Sequence, residues 1–223
     1  TVAALLMFLL PALVAYAVAL LQPEVAAGLV ANPAIVERIR QGRTWFDMPV
    51  AARPFISSFI MTNNIQVAFL AFAGGVPFGL GTLWVLLNNG LVIGAVAGLC
   101  HFYGIAPALW AFVLPHGVIE LSVIFIVGGA GLSLGHALLA PGLLPRRQAL
   151  VLAGQRAVRL IAGCLPLLVI AGTIEGFVSP SALSDAAKIV FGLASGCLLY
   201  GYLLGAGRLP HSATPRPPGA RSL

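Results

Sequence analysis

Apolar residues run along this chain in long unbroken stretches, with neither the strict alternation of a half-buried strand nor the one-sided stripe of a soluble helix. From Val2 to Leu21 there is no charged side chain, and Gln22-Pro23 closes the run. Twenty helical residues reach roughly 30 Å, the hydrocarbon thickness of a bilayer. The same pattern predicts a second span at about Ile65–Leu87, a third at Leu91–Tyr103, a fifth at Leu160–Ile174 and a sixth at Ala186–Ala206, with Asn88-Asn89-Gly90 turning the chain between the second and third. The stretch from Pro107 to Leu139 is too long for one straight span. Pro115 and the run Gly128-Gly129-Ala130-Gly131 predict a kink there, or a division into a re-entrant piece and a full span. The expected fold class is an all-α polytopic transmembrane helix bundle of about six spans, since helices satisfy their backbone internally in lipid.

The polar interruptions organise that bundle, expected over residues 1–207. Residues 24–64 carry Glu24, Glu37, Asp47 and several arginines; Asn32-Pro33 opens a short helix whose apolar positions are Ile35, Val36 and Ile39. That segment reads as an external amphipathic helix at the membrane surface, with Trp45 and Phe46 as headgroup anchors. Residues 140–159 read as a basic linker with Arg146, Arg147, Arg156 and Arg159 and no acid, and the Pro-rich stretch 208–223 as a disordered tail. The excess of arginine places linker and tail in the cytoplasm, and counting spans backwards puts the N-terminus there too. The chain opens at Thr1 without an initiating Met, which suggests a fragment of a longer protein. On this topology Asn63, Asn64, His116, Glu120 and Glu175 all approach the outer leaflet.

Composition narrows the class further. With 60% hydrophobic and 8% charged residues, the chain cannot present a water-soluble surface, so the lipid bilayer is its first partner. The formal charge of +6 fits basic cytoplasmic loops, and nucleic-acid binding is not expected. Cys100, Cys164 and Cys197 lie singly in apolar runs and read as small buried hydrophobes. No two histidines share the H-x-x-x-H spacing of a zinc helix.

The segment Pro115-His116-Gly117-Val118-Ile119-Glu120 sets an imidazole and a carboxylate on one face of a helix inside an apolar stretch, where ionisable groups are expensive. Three uses suit that pattern: polar contacts that hold helices together, a pathway for a proton, ion or small solute, or a divalent metal site with His116, Glu120 and Glu175 as weak candidate ligands. The H-x-x-x-E spacing lacks the second histidine of a metalloprotease helix, and no serine or cysteine stands beside His116 in sequence, so neither an enzyme nor a cofactor is expected. Gln66 precedes Gly74, Gly75, Gly79 and Gly81 at the offsets by which Glu120 precedes Gly128, Gly129, Ser133 and Gly135. Together with Gly131, these glycines are candidates for close helix packing between two segments that run in the same direction.

Four ordered motifs carry a family resemblance: Ser58-Phe59-Ile60-Met61-Thr62-Asn63-Asn64-Ile65; Phe78-Gly79-Leu80-Gly81-Thr82 with Asn89-Gly90; Pro115-His116-Gly117-Val118-Ile119-Glu120; and Ile174-Glu175-Gly176-Phe177-Val178-Ser179-Pro180. Over nearly its whole length the chain resembles the integral membrane family named after stage II sporulation protein M. The resemblance implies a multi-span bacterial or archaeal membrane protein with no established enzymatic activity. It also implies a scaffold, since the founding member recruits peptidoglycan-degrading partners to a septal membrane. The expected function is an envelope scaffold or assembly component with membrane-protein partners, and with a homo-oligomer as a further candidate. The rival expectation is a channel or secondary-transporter subunit whose pathway passes His116, Glu120 and Glu175.

Overall fold

The computed structural model describes residues 1–46 and 53–206, with side chains omitted at 53–57 and 206. Among the described residues the chain forms eight helices and no strand: α1 (Val2–Leu21), α2 (Pro23–Ala27), α3 (Pro33–Arg40), α4 (Arg53–Ala73), α5 (Leu80–Phe102), α6 (Ala106–Leu139), α7 (Arg146–Phe177) and α8 (Asp185–Ala206). Helices α1, α5, α6, α7 and α8 are long and apolar enough to cross a membrane; the apolar part of α4, Ser58–Ala73, is shorter. The expected disordered tail, Asp47 and the Arg53 side chain lie outside what is described.

Polar residues enter these helices by bonding back to their own backbone. Thr62, Asn89, Ser122, Ser133, Thr173 and Ser195 each donate to the carbonyl four residues earlier, at 2.7 to 2.9 Å. A polar side chain satisfied in this way does not end a helix in lipid. This corrects two boundaries. The helix expected to begin at Ile65 already runs from Arg53, through Ser58 and Thr62. The turn expected at Asn88-Asn89-Gly90 is instead the middle of α5, with the Asn89 amide bonded to the Val85 carbonyl. The chain turns at residues 74–79, where Phe78 and Gly79 adopt positive φ values of 56° and 82°.

Three other expectations change. Helix α6 is one continuous helix through Pro115 and the glycine run, so no re-entrant piece exists in it. Its 34 residues extend about 51 Å at the α-helical rise, well past a bilayer's apolar layer. Most of the expected basic linker is helix too, because α7 begins at Arg146 and only residues 140–145 connect it to α6. Near the other membrane face, α3 starts at Asn32 as expected, the side chain accepting from the Ala34 N–H at 3.0 Å. Its apolar positions, however, pack on protein: Val36 and Ile39 join Leu99, Cys100 and Leu109 in one buried cluster, with Trp45 and Phe46 against it. Phe46 stacks on Phe112 with ring centroids 4.0 Å apart and, like Trp45, remains partly exposed. Cys197 is exposed on α8, unlike buried Cys100 and Cys164.

Helix directions alternate, and α6 occupies the middle, touching α1, α4, α5, α7 and α8. Thr1, the 74–79 turn and the 140–145 connection share one end of the bundle: Thr1 lies against Gly129, and Gly79 against Gly135. That end also carries Arg146 and Arg147 at the start of α7. The opposite end holds α2, α3, the α5–α6 turn and the α7–α8 loop. Helices α1 and α5 lie parallel along a glycine seam. A methyl group built on Gly90 would strike the Phe8 carbonyl, one on Gly94 the Ala12 carbonyl, and one on Gly98 the Ala19 side chain. Small residues at this spacing bring two backbones into contact where lipid gives no hydrophobic drive to pair helices.

Candidate functional site

The buried ionisable residues of the bundle, His116, Glu120 and Glu175, gather in the half away from the arginine-bearing end, where buried Ser179 also lies; buried Thr82, beside the 74–79 turn, is bonded to the Ala71 carbonyl. On α6, His116 and Glu120 lie one turn apart on a buried face, 3% and 5% exposed. Pro115, just before them, supplies no N–H, and Gly192 of α8 packs directly on the Leu114–Pro115 backbone at that point. The parallel α4 brings Asn64 to the same level, and its amide Nδ2 donates to Glu120 Oε2 at 2.5 Å. Met61, one turn earlier on α4, reaches α7 at Gly172, whose lack of a side chain admits the thioether. Glu175 on α7 is wholly buried and within electrostatic reach of Glu120.

Immediately beyond α7 the chain winds tightly, with the Val178 and Ser179 N–H groups both donating to the Ile174 carbonyl. This turn delivers Ser179, 1% exposed, to His116, where Oγ and Nδ1 are 2.9 Å apart. Two residues beyond Glu120 on α6, Ser122 meets the Tyr200 hydroxyl of α8 at 3.0 Å. Helices α4, α6 and α8 and the Ser179 loop thus meet through side-chain hydrogen bonds, each bridging segments distant in sequence. In a low-dielectric interior such pairs are strong when made and costly when broken.

The cluster borders an open cavity of about 390 Å³ at the same end, lined by Arg43, Phe46, Phe112, Ser179, Asp185 and Lys188 among others. Ser179 belongs to both cavity wall and cluster. Phe112 stands between them, edge-on to the His116 ring at 5.7 Å and stacked on Phe46 from the far side. Toward the other end lie two apolar groups, Ala68, Val123, Val127, Cys164 and Leu168 in one and Ala130, Leu134 and Ala157 in the other.

The structure brings Asn64, His116, Glu120 and Glu175 into one region and leaves Asn63 out. Asn63 is exposed because neighbouring helical residues point about 100° apart. The weak metal candidates His116, Glu120 and Glu175 do not form a ligand set, and among the described residues no group of three or more His, Cys, Asp or Glu does. The eight singled-out glycines surround the 74–79 turn. Gly74 abuts Gly81, Gly75 abuts Gly131, Gly135 abuts Phe78 and Gly79, Gly128 receives the Leu86 side chain, and Gly129 meets Thr1. Sequence reasoning missed the Gly90, Gly94 and Gly98 seam, whose four-residue spacing was visible but was cut by the turn expected at Gly90. It also missed Ser179 as a partner of His116, although Ser179-Pro180 closes the last family motif, and Tyr16, whose hydroxyl bonds His101 Nδ1 where α1 meets α5.

The profile of the family described as "Stage II sporulation protein M" matches residues 4–180, from the first turns of α1 to the residue after Ser179. An uncharacterized protein of Methanocaldococcus jannaschii is 37% identical over 78 residues, which is 34% of this chain and 44% of that protein. The alignment therefore spans less than half of that relative's length. No solved structure matches the chain.

Proposed function

This chain belongs to the stage II sporulation protein M family, and from that premise we propose that it serves as a membrane scaffold of the cell envelope, a rigid bundle that positions partner proteins at its two ends. The observation that carries this reading is the packed apolar layer of Ala68, Val123, Val127, Ala130, Leu134, Cys164 and Leu168, which lies between the polar cluster and the arginine-bearing end. A bundle sealed at mid-depth has no use for its buried cluster as a conduit, so the cluster serves to fix the mutual positions of α4, α6, α7 and the Ser179 loop. Six helices cross the membrane, with α4 as the sixth, and the end bearing Arg146 and Arg147 faces the cytoplasm. Partners dock on the outer platform of α2 and α3 or on the cytoplasmic end of the α6–α7 hairpin.

A photo-crosslinking residue at Gln41 or Arg43, both exposed next to α3, tests this in cells. One discrete envelope-protein adduct, absent when the residue is placed at lipid-facing Leu198, supports the scaffold; a ladder shared by both positions counts against it. The transport reading draws on one specific feature: Ser179 lines the outer cavity and touches His116, so a polar route leads inward as far as Glu120. It requires the apolar layer to open.

A further inference from the structure

At the arginine-bearing end, a second cavity of about 690 Å³ opens between the last turns of α6 and the first half of α7, with Thr1 and Ala3 at its floor. Its lining divides by chemistry. Leu132, Leu152 and Leu160 make an apolar wall, while Ser133, His136 and Arg156 supply polar groups, all three exposed. We propose that this groove is a binding site for an anionic phospholipid, the phosphate held by Arg156 and His136 and an acyl chain lying along the leucines.

Its depth suits that occupant. The 74–79 turn, where the chain reverses between α4 and α5, packs on Gly131 and Gly135 of α6, beside the groove residues Ser133 and His136. A reversal between two spanning helices falls at the membrane surface, so the groove sits at the headgroup layer, where one end of a ligand meets water and the other meets lipid. Charge complementarity argues for an anion. From Leu121 to Ile174 the sequence holds Arg146, Arg147, Arg156 and Arg159 and no Asp or Glu. Among the described residues the ion pairs join Arg40 to Glu24 and Glu37, at the opposite end of the bundle. Arg156 thus presents its guanidinium to the groove with no carboxylate competing for it, and a guanidinium grips phosphate through paired N–H donors. A zwitterionic lipid would bring a choline or amine cation into this uncompensated positive field.

The test is native mass spectrometry of the full-length protein released from nanodiscs of equal phosphatidylglycerol and phosphatidylcholine. Wild type should retain phosphatidylglycerol selectively. Arg156→Gln should lower that retention about fivefold, the weight of one basic group near a membrane surface. Leu152→Trp, which fills the groove and leaves its charges in place, should lower it as well. Arg146→Gln with Arg147→Gln, outside the groove, should leave it unchanged. Equal retention of both lipids, undiminished retention in Arg156→Gln and Leu152→Trp, or an equal loss in the Arg146/Arg147 variant would each overturn the proposal, the last by reducing the effect to a diffuse basic belt.

Discussion

Along the seam between α1 and α5 the helices meet backbone to backbone, with Gly90, Gly94 and Gly98 giving up side chains so that the carbonyls of Phe8 and Ala12 can approach. At the cluster, α4, α6 and the Ser179 loop are joined through side chains, Asn64 to Glu120 and His116 to Ser179. At Gly90 and Gly94 the seam tolerates no added atom, because what a new methyl group would strike is main chain that cannot rotate away. The cluster tolerates changes that keep a donor facing an acceptor. Position is therefore fixed by close backbone approach where the sequence is chemically plainest, and by paired donors and acceptors where it is ionisable.

This contrast ranks the substitutions. Gly94→Val should be the most damaging, forcing the two backbones apart at a cost of about 3 kcal/mol, read as a large loss of melting temperature or of extractable folded protein. A wild-type melt would break the comparison at its strong end. Asn64→Leu, which strips Glu120 of its amide donor, should cost about 1–2 kcal/mol, and a double-mutant cycle with Glu120→Gln should show coupling of that order. Additive effects would mean that the contact holds nothing. Ser179→Ala should cost about 1 kcal/mol and loosen the α7–α8 loop, visible as faster backbone hydrogen exchange there and unchanged exchange in α1. Tyr200→Phe, losing the bond to Ser122, should cost about 0.6 kcal/mol. Smallest is Arg40→Ala, since its ion pair with Glu24 is solvent-exposed; the effect should be a few tenths of a kcal/mol and vanish in high salt.

The same contrast explains what could be seen in the sequence. Helix α1 was legible to the residue because an uninterrupted apolar run ended by Gln22-Pro23 has one physical reading in lipid. The His116–Glu120 pair was legible because a four-residue spacing is a statement about one helix face. The turn before α5 was not. Asn88-Asn89-Gly90 has turn chemistry in water, but here Asn89 returns its amide to Val85 and Gly90 is spent on the approach of Phe8. Conversely, the sequence pattern marks the glycines at 74, 75 and 79 as packing residues, and they also make the turn. In an apolar chain glycine signals both close approach and reversal, and only the partner surface decides between them. The stacking of Phe46 on Phe112 is not legible either, because an aromatic pair beside an amphipathic helix fits a headgroup belt as well as it fits a protein partner. Ser179 reaches His116 from 63 positions away through a loop, and no local pattern encodes that meeting.

The central claim is that the bundle is a sealed scaffold whose buried cluster holds helices together and conducts nothing. Proton and divalent-ion flux through protein reconstituted in liposomes tests it directly, with folded Glu120→Gln as the paired sample. The account predicts that both preparations leave the vesicles as tight as protein-free lipid. A flux carried by the wild type and lost in the folded Glu120→Gln variant would contradict it and make the polar cluster a transport pathway.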